Sequence, residues 1–352
     1  MYDLPCGVFN ESYQKDMAVF RTSTHWGLLA AFILMLFLLP LMLADHWIVT
    51  INFIGITVIA ILGLNIVTGY CGQINVGQAA FMAVGAYTSA ILTQKYGFSF
   101  WVAFPLAGLV AGFVGMLFGL PSLRLKGFYI AMSSMAAQFI LLWVILRPLA
   151  DLSGGDLGLE VSYISLFGVM FNTNFKSFYI IIPVALVMLF FAKNISRMRV
   201  GRAFVAIRDN DLAAEVMGIN IFRYKLLAFA ISSAYAGIAG SLLVHTVGRA
   251  SLDYFGFMES VWLLGMLIVG GMGTTMGPIF GTVFIKVLDE LIFYLAPVVG
   301  SVFPSLSIKL STSLQPIFFS LIVMLFLIYE PRGWAHRWEI FKNYYRLHPF
   351  SY

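Results

Sequence analysis

This chain has little charge: only 11% of its 352 residues are Asp, Glu, Lys or Arg. So small a supply excludes an ordinary soluble globule, whose surface needs far more. Cysteine is nearly absent too. The two present, Cys6 and Cys71, exclude a disulfide framework, and no Cys/His spacing suits zinc. The sequence lacks a G-x-x-x-x-G-K-[ST] phosphate loop, which excludes ATP hydrolysis by that route. It also lacks H-E-x-x-H, G-x-S-x-G and any carboxylate-rich metal cluster. No catalytic residue, metal site or bound cofactor is expected on this chain.

What fills the sequence instead is apolar. Hydrophobic residues make up 61%, and the mean hydropathy is +0.91, so the chain is read as an integral membrane protein. A helical crossing needs about 20 apolar residues. Apolar runs fall at 27–43, 47–68, 73–93, 100–122, 127–149, 177–192, 226–247, 259–276, 278–296 and 314–330. They predict an all-α polytopic membrane protein of about ten transmembrane helices, forming one domain over 1–352. The first run is expected to be a retained helix: its leader carries Asp3, Glu11 and Asp16, and no A-x-A site follows.

The basic residues orient the chain. With residues 1–26 as a cytoplasmic tail, 15 of the 21 Lys/Arg lie inside: Lys15, Arg21, Arg124, Lys126, seven in 193–225, and Arg332, Arg337, Lys342 and Arg346 in the tail 331–352. Lys95, Arg147, Lys176, Arg249 and Lys309 lie outside, and Lys286 lies within a span. That asymmetry predicts both termini in the cytoplasm. The pI of 9.1 then reports topology and contact with anionic lipid, with no nucleic-acid partner.

The segment 193–225 carries Lys193, Arg197, Arg199, Arg202, Arg208, Arg223 and Lys225 with Asp209, Asp211 and Glu215. It is expected to lie in water and to meet a soluble partner. Glycines predict how the spans pack. Gly108, Gly112, Gly115 and Gly119 share one helical face, and Gly273, Gly277 and Gly281 repeat every four residues, which lets backbones approach closely in lipid.

Two stretches look less like plain spans, 69–90 and 269–281. Each mixes glycine with polar groups: Gln73, Asn75 and Gln78 in the first, Thr274 and Thr275 in the second, with Pro278 interrupting the latter. Interrupted helices present backbone to substrate in transporters, while interfacial turns bonded to neighbouring helices have the same composition. Lys286, Asp289 and Glu290 can pair along one face. With no second charged helix evident, a structural pair competes there with a proton relay.

Six ordered blocks carry a resemblance over nearly the whole chain: GLNIVTGYCGQINVGQAAFMAVGAYTSAIL (63–92), LRLKGFY (123–129), SGGDLGL (153–159), GRAFVAIRDNDLAAEVMGINIFRYKLLAFAISSAYAGIAGSL (201–242), GGMGTTMGPIFGTVF (270–284) and EPRG (330–333). In that order they resemble the branched-chain amino acid ABC permease family, more narrowly its M-type subunit. The resemblance implies a bacterial inner-membrane importer with a fold similar to the vitamin B12 and ribose importer permeases. It implies a second permease subunit, two cytoplasmic ATPase subunits that bind ATP and Mg, and a periplasmic binding protein.

It also identifies 213–219 with the family's cytoplasmic coupling helix, giving Arg208, Asp209, Ala213, Ala214, Glu215, Gly218 and Ile219 as ATPase-coupling residues. Asp209, Asp211 and Glu215 are expected in the early turns of that helix and Gly218 at its end. Arg202 and Arg208 are expected to face acidic ATPase surface or lipid phosphate, or to anchor the topology. Gln73, Asn75, Gln78, Ser133, Ser134 and Gln138 are the expected translocation pathway. Two departures from the family pattern, Gln78 in place of His and 133–138 in place of Thr-Leu-Gly-Phe-Gly-Glu, leave urea, amides and aromatic acids as alternative solutes to branched-chain amino acids. A stand-alone secondary transporter or channel, or a docking scaffold, are the competing classes.

Overall fold

A computed structural model describes residues 23–121, 125, 127–166, 169–302 and 307–347. Cys6, Lys15, Arg21, Arg124 and Lys126 lie outside the described residues, as does most of the expected N-terminal tail. The α-helices of six residues or more are α1 (Ser23–Leu38), α2 (Asp45–Leu64), α3 (Gln78–Gln94), α4 (Phe100–Gly119), α5 (Phe128–Leu146), α6 (Asn174–Arg197), α7 (Arg199–Asp209), α8 (Asp211–Val216), α9 (Ile221–Val247), α10 (Phe257–Gly270), α11 (Gly277–Val302), α12 (Ser307–Tyr329) and α13 (Gly333–Leu347). Two antiparallel pairs of two-residue strands, β1 (Leu159–Glu160) with β4 (Arg249–Ala250) and β2 (Ser165–Leu166) with β3 (Val169–Met170), tie down the connections at one end.

Helix α9 is the axis of the bundle, packed along α4, α3 and α2, while α10 to α13 form a second group that meets α2 through α10 and α11. Small residues make this possible. A Cβ at Gly85 of α3 would run into the backbone of Gly237 in α9, and one at Gly240 into the backbone of Met82. Along α4, Gly108, Gly112, Gly115 and Gly119 face Ile238, Ala230, Ser233 and Phe229 of α9, the last three at backbone or near-backbone approach. In lipid such contact replaces the hydrophobic drive available in water.

Five of the described helical segments are long and apolar enough to cross a membrane: Asp45–Tyr70, Phe100–Gly119, Phe128–Leu146, Asn174–Arg197 and Ile221–Val247. Gln315–Tyr329 and Gly333–Tyr344, bent by 47°, count as a sixth if taken as one span. Two of the ten apolar runs fall short of a full crossing for a physical reason. The 73–93 run is helical only from Gln78, and the 259–276 run only to Gly270. Gly72, Gly271 and Gly273 have φ of 72°, 108° and 77°, which turns the backbone out of helical geometry.

The second break therefore lies at 271–276, ahead of Pro278 rather than at it. Pro278 sits in the first turn of α11, where its missing N–H would have had no intrahelical partner. Gly273 accordingly belongs to the turn and not to a helical face with Gly277 and Gly281, which do press on Gly271, Gly270 and Met266. The ends of 193–225 are helical as well: Lys193 and Arg197 belong to α6, and Lys225 is buried in α9 rather than lying in water.

Candidate functional site

At one end of the bundle, 199–219 folds into two helices joined at Asn210. Apolar Ala203, Phe204 and Ile207 recur at helical spacing and bury one face of α7. The chain then turns at Asn210, whose side chain accepts a hydrogen bond from the Ala213 N–H at 3.0 Å and so caps α8. Helix α8 ends in a Schellman arrangement: Gly218 N–H bonds Glu215 C=O at 2.9 Å, and Ile219 N–H bonds Ala214 C=O at 3.0 Å, with Gly218 at φ 84°.

Only six residues are enclosed. Asp211 alone of the three expected acids is in the first turn; Asp209 closes α7, and Glu215 stands one residue from the end of α8. The cap is Asn210, which stands between Asp209 and Asp211. Ala214 is buried and Ile219 half-buried, anchoring α8 to the bundle, while Ala213 and Glu215 face outward. Leu212, Val216 and Met217 project with 65%, 86% and 82% exposure. These three apolar side chains, absent from the expected site, are what α8 offers to a partner.

Arg208, though exposed, bridges back to the bundle. Its Nη1 donates to the Gly69 carbonyl at 3.1 Å, and Nε and Nη2 both donate to Asp209 Oδ1 at 3.0 Å. Gly69 belongs to a π-helical turn, Asn65–Tyr70, that continues α2. Asn65 there donates from Nδ2 to the Thr274 carbonyl at 2.7 Å and accepts from the Gly273 N–H at 2.8 Å. Tyr70 and Thr275 hydroxyls lie 3.3 Å apart. The two irregular stretches thus meet one another beneath the basic segment.

Four of the six expected pathway residues, Asn75, Gln78, Ser134 and Gln138, are buried and hydrogen-bonded around the broken start of α3. Val76 N–H donates to Ser134 Oγ at 2.9 Å, Ala79 N–H to Ser260 Oγ at 2.8 Å, and Ala80 N–H to Gln138 Oε1 at 2.9 Å. These satisfy amide groups that a helix start leaves free. Gln138 Nε2 donates to the Phe255 carbonyl at 2.8 Å. Gln78, fully buried, donates to the Ala60 carbonyl at 3.0 Å and accepts from Asn75 at 3.0 Å and Ser232 at 3.2 Å. Ser260 and Ser232 were not foreseen. Ser133 is partly exposed and outside this set. Gln73 Oε1 is buried without a hydrogen-bond partner among the described residues.

The charged cluster on α11 is not confined to one helix, contrary to the sequence reading. His46 of α2 pairs with Glu290, and Thr50, also of α2, approaches it at 3.5 Å. His46 lies 244 positions from Glu290, which is why no local spacing revealed it.

The family model described as the branched-chain amino acid transport system permease component matches residues 47–328. The chain is similar to the high-affinity branched-chain amino acid transport system permease protein LivM of Salmonella typhimurium (34% identical, covering 65% of this chain and 60% of the relative). It is 33% identical to the LivM protein of Escherichia coli, over 69% and 63% of the two chains. The probable branched-chain amino acid transport permease protein LivM of Methanocaldococcus jannaschii is 23% identical over 79% and 90%. The chain spans about three fifths of the length of the two bacterial relatives. No solved structure matches it.

Proposed function

The chain belongs to the branched-chain amino acid transport permease family, and from that premise we propose that it is the transmembrane permease subunit of an ATP-driven importer of branched-chain or other hydrophobic amino acids. It works in the bacterial inner membrane with a second permease subunit, two cytoplasmic ATPases that carry the ATP and Mg, and a periplasmic binding protein. The full span count in this reading is ten, and the distribution of Lys/Arg supports placing both termini in the cytoplasm.

The observation that carries the proposal is α8: a capped six-residue helix, fixed at both ends and projecting Leu212, Val216 and Met217 into solvent within the most basic segment of the chain. A rigid element of this size moves as a body when its partner closes, and an apolar tip suits a cleft on a soluble protein. The polar set of Gln73, Asn75, Gln78, Ser134 and Gln138 supports a pathway close to the start of α3. Gln73 Oε1 there is an acceptor suited to a substrate ammonium.

Pull-down of the ATPase subunits tests the docking assignment. Glu215→Ala and the double change Leu212→Ser/Val216→Ser leave the permease folded and reduce ATPase recovery; recovery at the unaltered level in both would remove α8 from the docking role.

A further inference from the structure

Arg208 links three parts of the chain that sequence reasoning treated separately. Its stem lies over Gly72, where a Cβ would come within 2.8 Å of the arginine Cγ, and its Nη1 stands 3.0 Å from the place of a Cβ on Gly273. Gly69, Gly72 and Gly273 are therefore the floor on which this side chain rests. Beneath it, the Asn65 amide clamps the 273–274 backbone with two hydrogen bonds. The same end receives the C-terminal region, since Cβ atoms on Gly271 and Gly333 would strike Arg332 and Gly271 backbone respectively. Arg208 is the penultimate residue of α7, three positions before α8 starts, and π-helical turns such as 65–70 occur where a helix is under functional constraint.

We propose that Arg208 is a positioning residue that ties α8 to the two irregular segments 69–77 and 271–276, so that displacement of α8 reaches both breaks together. This deepens the coupling role proposed above and rests on it for its transport consequence. It also reassigns Arg208, expected from sequence to face acidic protein or lipid. A guanidinium has the fork needed to hold a carbonyl and a carboxylate at once, whereas an ammonium of the same charge does not.

The test has two arms. In the first, the purified full-length permease and its Arg208→Ala and Arg208→Lys variants are compared by amide hydrogen exchange in lipid nanodiscs. Loss of the strut exposes amides such as Gln73 N–H, bonded to Val67 at 2.9 Å, and Gly273 N–H. Exchange in 69–77 and 271–276 is expected to rise about tenfold in both variants, with α9 unchanged. In the second, the complex with its ATPases and binding protein is reconstituted in liposomes with L-leucine as the transported probe. Both variants are expected to recover ATPase at the unaltered level while leucine uptake per ATP falls about tenfold.

Unchanged exchange, a lysine variant indistinguishable from the parent, or ATPase recovery lost in Arg208→Lys would each overturn the proposal, the last by making Arg208 a docking residue. Should the unaltered chain recruit no ATPase, the importer reading fails, and the exchange arm still decides whether Arg208 ties the segments together. If Arg208→Ala does not fold, the lysine variant carries both arms.

Discussion

Gly218 is the residue whose backbone most constrains the projecting helix. Its φ of 84° is costly for any other residue, yet a Cβ there meets nothing within 4 Å. Gly218→Ala therefore carries backbone strain alone, about 1 kcal/mol, and is felt locally. We expect an unchanged melting temperature for the bundle with weakened ATPase recovery. Asn210→Ala removes the cap on Ala213 N–H and costs about 1 kcal/mol of local helix stability; faster amide exchange confined to 211–218 is the expected readout. The Asn cap and the Gly end are both signals that a sequence carries, and the glycine was read correctly. The helix starts at Asp211, two residues ahead of the segment that the resemblance implies, because Asn210 caps it. The bond from Arg208 to Gly69 is not legible in the sequence, since that acceptor is a backbone carbonyl 139 positions away.

Among the elements, α9 illustrates what composition can and cannot say. The glycine face of α4 was visible as spacing, but its partner was not: Gly85, Gly237 and Gly240 are as necessary to the crossing of α3 on α9, and they follow no four-residue repeat with it. Gly85→Ala drives a methyl into the Gly237 backbone, which has no side chain to move aside, and is expected to destabilise the bundle by about 1–3 kcal/mol. Gly256→Ala, where a Cβ meets nothing within 4 Å, is the matched control and should melt with the parent. The breaks at 72–77 and 271–276 were suspected from glycine and polar content. The π-helical turn at 65–70 was not, because Asn-Ile-Val-Thr-Gly-Tyr continues the apolar pattern of α2 and only the Asn65 clamp explains its register.

For the whole molecule, hydropathy gave the all-α membrane class without difficulty, since apolar composition alone requires it. The number of long helices was harder, because glycine turns shorten apolar runs without making them polar. Orientation rests on Lys/Arg asymmetry and is open to a direct check. With Cys6 and Cys71 replaced by alanine, a cysteine at Val216 and one at Leu157, both highly exposed at opposite ends of the bundle, should react with a membrane-impermeant maleimide from opposite sides. Leu157→Cys is expected to label in intact cells and Val216→Cys only in inverted vesicles; the reverse pattern would invert the topology.

The central claim is that this chain moves a solute because separate ATPases push on α8. ATP hydrolysis by the reconstituted complex tests it most directly, with the binding protein present and a panel of branched-chain and aromatic amino acids, aromatic acids, amides and urea. The account predicts hydrolysis stimulated by branched-chain amino acids and blunted by Glu215→Ala. Solute uptake that proceeds without any ATPase would contradict it.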